Sequence, residues 1–136
     1  MWVGGGSGGD DPVTLLIFGT RTFADYDLLR DKCDRYTRNC TVVEVVSGGA
    51  KGADALGERW AKERGIPVRQ FPADWKKHGK AAGPLRNREM ARYLAAHSPA
   101  GAVGFWDGES RGTRDMIGAL REVGVRCKVV PTCKQS

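Results

Sequence analysis

Apolar residues along this chain follow two patterns, continuous runs and helical spacing, and the two patterns alternate along most of the sequence. Residues 13–18 form an almost unbroken apolar run, as expected for a parallel strand that is buried on both faces. Comparable runs at residues 41–46, 68–71, 101–106 and 125–130 predict further strands. We therefore expect a sheet of five strands.

Between these runs, apolar residues recur at the three- and four-residue spacing of helices that pack one face on a core. The spacing predicts a helix over residues 25–39, a second that ends before Gly65, a third over residues 85–96 and a fourth after Thr113. Residues 72–84 contain turn residues and charges without a clear period. We predict a long loop there, and loops of this length in compact domains usually carry function.

Strands that alternate with helices define the fold class, because each helix must return the chain so that the next strand runs in the same direction. The predicted fold is α/β, with a single Rossmann-like, doubly wound, mostly parallel five-stranded sheet and helices on both faces. In such a sheet, ligands bind beyond the carboxyl ends of the strands, where the strand order reverses.

Glycine-bearing segments follow three of the predicted strands and should therefore gather at this edge of the sheet. Small residues let a ligand reach backbone N–H groups, and a following helix directs its positive end to the same place, which suits phosphate. The alternative is that each glycine only relieves a tight turn. Because independent turns need not collect at strand ends, we favour a phosphate or nucleotide site. Its candidate residues from these segments are Gly19, Thr20, Arg21, Ser47, Gly48, Gly49, Asp107, Ser110, Gly112 and Thr113.

Length and composition indicate one domain. The chain has 136 residues, of which 40% are hydrophobic, enough for one core. Residues 1–12 are predicted to be a flexible Gly/Ser-rich tail, residues 13–131 the domain, and residues 132–136 a C-terminal tail. No segment approaches the ~20 apolar residues of a membrane span, and no secretion signal is recognisable, so we expect a cytoplasmic protein without a membrane partner.

Charge and cysteine spacing narrow the ligand class. Lys and Arg number 22 and Asp and Glu 16, and the resulting charge of +6 suits a phosphorylated partner without separating a nucleotide from a nucleic acid. The four cysteines, at positions 33, 40, 127 and 133, lack the spacing of a zinc site. We expect neither a metal ion nor a cofactor.

Four blocks of sequence, the last of them in two parts, also carry a family resemblance. Residues 47–54 (SGGAKGAD), 71–75 (FPADW), 82–90 (AGPLRNREM), 105–108 (FWDG) and 110–113 (SRGT) occur in the order found in the YspA/YpsA-related branch of the SLOG superfamily. The chain resembles this branch over most of its length. The resemblance implies a Rossmann-like fold and relatives in phages and mobile elements. It also implies kinship with LOG phosphoribohydrolases, with the DNA-processing protein DprA/Smf and with sensors of NAD-derived nucleotides.

The LOG relatives supply a first comparison at the start of the third predicted helix. They carry an Arg-Lys-x-x-Met block whose arginine contacts the nucleotide, and Arg86 and Met90 match it. The resemblance therefore adds Arg86 and its neighbour Asn87 to the candidate site.

A second LOG motif, Gly-Gly-x-Gly-Thr-x-x-Glu, binds phosphate through Gly-Thr and uses the glutamate in catalysis. Gly112 and Thr113 match the first part, whereas Met116 occupies the glutamate position. A thioether cannot act as an acid or a base, so the resemblance favours binding over hydrolysis. Asp115 and Asp54 remain the candidates for a catalytic carboxylate, and Asp115 points about 100° away from Met116 around a helix.

We therefore expect a domain that senses or sequesters a phosphorylated nucleotide or an NAD-derived ligand. One alternative is a LOG-like nucleoside-monophosphate phosphoribohydrolase or N-glycosidase. Another is single-stranded DNA binding of the DprA kind, which the lack of a basic stripe interleaved with aromatic residues disfavours. The resemblance leaves a homo-dimer or a higher homo-oligomer open.

Three candidate residues keep two interpretations each. Arg86 could grip a phosphate with two hydrogen bonds, or pair with a surface carboxylate such as Asp74 or Glu89. Trp75 could stack on a base or seal the edge of the domain. Asp54 could contact a ribose hydroxyl, or complement the dipole of the helix that it begins.

Overall fold

The protein is described by a computed structural model that covers residues 11–97 and 99–132. Its strands are β1 (Asp11–Gly19), β2 (Cys40–Ser47), β3 (Val68–Gln70), β4 (Ala100–Trp106) and β5 (Arg126–Pro131). Its helices are α1 (Tyr26–Tyr36), α2 (Ala53–Glu63), α3 (Trp75–His78), α4 (Ala82–Ala96) and α5 (Arg111–Glu122), with a 3₁₀ turn at Gly79–Ala81 between α3 and α4.

The five strands form one sheet in the order β3-β2-β1-β4-β5. All four neighbouring pairs are parallel, so the predicted mostly parallel, doubly wound α/β fold is confirmed. The chain moves outward from β1 to β3 on one side, and then returns to place β4 on the other side of β1. The strand order therefore reverses between β1 and β4, which puts the expected ligand crevice at their carboxyl ends.

Helices cover both faces of the sheet, and alternate residues of β1 show why its sequence is apolar throughout. Leu15 and Ile17 belong to one buried cluster together with α1 and α2, including Trp60, which is 1% exposed. Leu16 and Phe18 belong to a second buried cluster together with α4 and α5. A strand between two helical layers has no solvent-facing side, and this explains the continuous apolar run.

The prediction of a long loop over residues 72–84 is wrong. Asp74 caps α3 by accepting a hydrogen bond from the backbone N–H of Lys77 at 3.1 Å, and α4 begins at Ala82. Gly83 and Pro84 suggested a break in structure. Pro84 nevertheless lies in the first turn of α4, where its missing N–H would have no partner in the helix.

The ends of other elements also differ from the predicted bounds. β1 begins at Asp11, so residues 11 and 12 belong to the sheet rather than to the predicted tail. α1 ends at Tyr36, before the predicted residue 39. The rest of the predicted N-terminal tail and most of the C-terminal tail lie outside the described residues. Within the described ranges, no helix is long and apolar enough to cross a membrane.

Candidate ligand-binding site

A cavity of about 550 Å³ opens beyond the carboxyl end of β1 and is bordered by α2, α3, α4 and α5. This volume lies within the range of small-molecule sites in proteins. The cavity brings together many of the predicted site residues from distant parts of the sequence. Those that line it are Gly19, Arg21, Asp54, Trp75, Arg86, Asn87, Gly112, Thr113 and Asp115.

The deep side of the cavity is lined by a group of side chains that we call the inner wall, formed by Asp54, Arg86, Asn87 and Asp115. Arg86 donates from Nη1 to the carbonyl oxygen of Gly48 at 2.7 Å and from Nε to Asn87 Oδ1 at 3.0 Å. Asn87 in turn donates from Nδ2 to Asp115 Oδ2 at 2.9 Å. The chain of bonds connects the turn after β2 with α4 and α5, and it fixes these side chains before any ligand binds.

Gly48 supports the inner wall from behind. A Cβ atom at this position would lie 2.6 Å from Arg86 Nη1 and 2.9 Å from Asp54 Oδ2, so only glycine leaves room for both side chains. Gly48 does not line the cavity. The glycine that was predicted to let a ligand approach instead admits the guanidinium of Arg86.

Asp54 is the most buried carboxylate of the inner wall, with 6% exposure. Burial raises the pKa of Asp54 to about 6, while the backbone N–H of Ala50 and the charge of Arg86 oppose that rise. The carboxylate accepts the Ala50 N–H at 3.3 Å. Asp54 is therefore able to gain or lose a proton near neutral pH inside the cavity.

The mouth of the cavity is lined by a second group that we call the rim, formed by Arg21, Trp75, Lys80 and Arg111. All four are exposed, Trp75 to 51%. Within residues 11–97 and 99–132, none of their side chains has a hydrogen-bond or ion-pair partner. The rim therefore presents three unneutralised positive charges and one open indole to the cavity.

The start of α5 joins the rim to the inner wall. Gly112 and Thr113 line the cavity in the first turn of this helix. Ser110 caps the helix by accepting from the Thr113 N–H at 3.3 Å. The N–H groups of Arg111 and Gly112 have no acceptor within the helix, and together with the helix dipole they suit an anion.

Several predicted site residues build the turns around the cavity and do not line it. Ser47 donates from Oγ to Glu58 Oε2 at 2.7 Å and accepts from the Gly49 N–H at 3.0 Å, so both residues stabilise the turn after β2.

Thr20, Asp107 and Ser110 have a comparable role between β1 and α5. Thr20 Oγ1 accepts from the Asp107 N–H at 3.2 Å. Asp107 Oδ1 accepts from the N–H groups of Glu109 and Ser110, both at 2.9 Å, and these bonds lower the pKa of Asp107. These side chains hold the first turn of α5 in place.

Arg86 does not have the surface partners considered for it. Its hydrogen bonds go to Gly48 and Asn87, with a longer one of 3.5 Å to the carbonyl oxygen of Phe71, instead of to Asp74 or Glu89.

Two rim residues, Lys80 and Arg111, were not among the residues predicted from the sequence. Arg111 directly precedes the Gly112-Thr113 pair, and its place at the first residue of a helix beside that pair was a usable signal. Lys80 lies in the segment that was predicted to be a loop, where no period indicated the direction of any side chain. Its position depends on the 3₁₀ turn between α3 and α4.

Met116 and Asp115 both line the cavity, although they are neighbours on α5. Met116 is 1% exposed and packs in the apolar cluster beneath α4 and α5. The side chain of Asp115 is 31% exposed, and its Oδ1 lies 3.9 Å from Arg88 Nη1.

The described residues contain no group of three or more His, Cys, Asp or Glu side chains that could hold a metal ion.

The fold and the cavity define a Rossmann-like α/β protein whose open site lies where its strand order reverses. Comparison with known proteins identifies the family. The model of the YspA, cpYpsA-related SLOG family matches residues 13–78. Gene 61 protein of Mycobacterium phage D29 is 38% identical over 120 residues, which cover 82% of this chain and 90% of the relative. The chain belongs to the YspA, cpYpsA-related SLOG family, and the expected resemblance to a phage protein is confirmed.

Proposed function

We propose that the cavity binds a phosphorylated nucleotide or an NAD-derived nucleotide, which the protein senses or sequesters. The observation that carries this proposal is the charge of the lining: Arg21, Lys80, Arg86 and Arg111 face two carboxylates. Burial raises the pKa of one of these carboxylates, Asp54, to about 6. An anion is the ligand that such a surplus of positive charge favours.

The position of the site supports a phosphate in particular. The first turn of α5 offers backbone N–H groups and the positive end of a helix dipole beside Arg111. Membership in a SLOG family supports a small-molecule ligand. We propose that residues 13–131 act as one ligand-binding domain, with the phosphate bound near Gly112 and Thr113.

Calorimetric titration tests this proposal with nucleoside monophosphates, ADP-ribose and NAD as probes. Arg111→Ala should weaken binding of the tightest probe about tenfold, because a charge-assisted hydrogen bond is lost. Arg121→Ala is the matched control, since Arg121 is exposed near the other end of the same helix and does not line the cavity. Equal losses in the two variants would contradict the assignment of the phosphate site.

The second candidate function is hydrolysis of an N-glycosidic bond. Asp54, with its pKa near 6, and Asp115 line the same cavity, and two carboxylates are the groups that such hydrolysis uses as acid and base. Under the proposed binding function, chromatography should find base and ribose still joined after incubation. Release of free base over many turnovers, abolished by Asp54→Asn or Asp115→Asn, would establish the hydrolase instead.

A further inference from the structure

We propose that Trp75 forms the base-binding end of the cavity and stacks on the nucleobase of the ligand. This inference rests on the proposed function and makes it more specific: the ligand must combine a planar heteroaromatic ring with a phosphate. Sugar phosphates and inorganic phosphates would then be weak ligands.

The first observation is that Trp75 differs from the other tryptophans of the described chain. Trp60 is buried and donates from Nε1 to Asp34 Oδ1 at 3.0 Å. Trp106 donates from Nε1 to the carbonyl oxygen of Ser110 at 3.1 Å. An arginine side chain lies over the ring of each. The indole of Trp75 has no hydrogen-bond or ring partner among residues 11–97 and 99–132, and half of its surface is exposed.

The second observation is that one edge of the Trp75 ring lies against the protein. It is the first residue of α3, which Asp74 caps. A Cβ atom at Gly83 would lie 3.4 Å from the indole Cη2, so the far edge of the ring lies against the first turn of α4. Gly83 and Trp75 both line the cavity. A ring that packs at one edge and is open over much of its surface offers a face on which a second ring can stack, and it has fewer orientations to lose than a side chain without such a contact.

The third observation is the distribution of charge around the indole. Lys80 and Arg111 line the same cavity as Trp75 but come from the 3₁₀ turn and from α5. Positive side chains and an aromatic plane on the rim of one cavity match the two chemically different ends of a nucleotide. The indole N–H, which lacks an acceptor in the described chain, can also donate to a nitrogen or an oxygen of the base.

The test compares ligands with and without a base. AMP, GMP, CMP and UMP are titrated into the full chain beside ribose 5-phosphate and inorganic phosphate. The tightest nucleotide is then titrated into Trp75→Ala, Trp75→Phe and Leu85→Ala. Leu85→Ala is the matched control, because Leu85 is a 42% exposed apolar residue of α4 that does not line the cavity.

We expect the nucleotide to bind the wild type more tightly than ribose 5-phosphate does. Trp75→Ala should weaken nucleotide binding about 5- to 150-fold, the range of one base–aromatic stack, and leave the affinity for ribose 5-phosphate unchanged. Trp75→Phe should retain part of the affinity, because it keeps an aromatic face. Leu85→Ala should bind like the wild type. The nucleotide should also quench the fluorescence of the wild type more than that of Trp75→Phe.

Each failure would separate the two proposals. Equal nucleotide affinity in Trp75→Ala and the wild type, or equal affinity of the wild type for nucleotide and ribose 5-phosphate, would overturn base stacking and leave phosphate binding intact. An equal loss in Leu85→Ala and Trp75→Ala would also overturn it, since the whole apolar surface would then matter rather than the indole. Failure of every phosphorylated probe to bind would overturn the proposed function, and this inference with it.

Discussion

The inner wall and the rim line one cavity, yet their side chains are held in opposite ways. Arg86 and Asn87 of the inner wall are joined by hydrogen bonds that extend from the turn after β2 to α5. The rim side chains Arg21, Lys80 and Arg111 lack such bonds within the described chain. Changes to the inner wall should therefore alter the free energy of unfolding, whereas changes to the rim should alter ligand affinity alone.

The largest difference between the inner wall and the rim is expected in the pH dependence of the free energy of unfolding, which Asp54 should dominate. Its pKa in the folded protein, about 6, lies above the ordinary value of 3.8, so the folded state holds this proton more tightly than the unfolded state. The stability that Asp54 contributes is thus fully present below about pH 4 and is lost as the pH rises through 6. Urea denaturation of the wild type and Asp54→Asn from pH 4 to pH 8 should show the wild type losing about 2 to 3 kcal/mol relative to the variant. A difference that stays constant with pH would contradict the burial of this carboxylate.

Arg86→Lys should destabilise the protein by about 1.5 to 3 kcal/mol even without ligand, because lysine cannot replace both the bond to Gly48 and the bond to Asn87. This loss is larger than expected if Arg86 paired with a surface carboxylate such as Asp74 or Glu89, because such a pair would contribute only roughly 0 to 1 kcal/mol to stability. Arg21→Lys is the rim control and should stay within about 0.5 kcal/mol of the wild type. Equal unfolding free energies for the two variants would remove the contrast between wall and rim.

Gly48→Ala should cost about 1 to 2 kcal/mol, since the added methyl group displaces the guanidinium of Arg86 from the carbonyl oxygen of Gly48. Gly118→Ala is the matched control. Gly118 is an exposed helical glycine, and a methyl group added there would meet no atom within 4 Å, so alanine should stabilise α5 by about 0.5 to 1 kcal/mol. Thermal melts of both variants should show a lower melting temperature for Gly48→Ala and a higher one for Gly118→Ala. Stabilisation by both substitutions would show that Arg86 can move away from Gly48 without loss of stability.

Lys80→Ala should have the smallest effect on unfolding, within about 0.5 kcal/mol, because the side chain is exposed and has no partner in the described chain. Calorimetry should nevertheless find a severalfold weaker affinity for a nucleotide that the wild type binds. Lys62→Ala, an exposed lysine at the end of α2 outside the cavity, should change neither quantity. If Lys80→Ala lowered the stability without changing the affinity, Lys80 would have a structural role and would not belong to the ligand-binding rim.

The fold could be predicted in large part because its strands lie between two helical layers and read as apolar runs. The segment before α4 could not. Gly83 and Pro84 disfavour a helix in most positions, and only their place in its first turn makes them compatible with α4. The four residues of α3 are too few to establish a period, so the cap that Asp74 supplies had no helical pattern beside it.

The position of the candidate site could be predicted from the strand ends, but the role of each residue in it could not. The side chains of Ser110 and Asp107 could hydrogen-bond either to a ligand or to nearby backbone N–H groups. Which partner they take depends on the geometry of the turns, and residue spacing alone does not define that geometry. Arg86 bonds to Gly48, which is 38 residues away in sequence. Such a contact depends on the packing of α4 against the turn after β2, which no local pattern encodes.

The most direct test of nucleotide binding is mass spectrometry of the small molecules released from purified protein. We predict that the wild type releases a phosphorylated species with a nucleobase. A variant with both Arg21→Glu and Arg111→Glu should be as stable as the wild type but should release at most about a tenth as much of this species, because two rim charges are reversed. The same yield from both proteins, or the absence of any phosphorylated species together with no nucleotide binding in titration, would contradict the account.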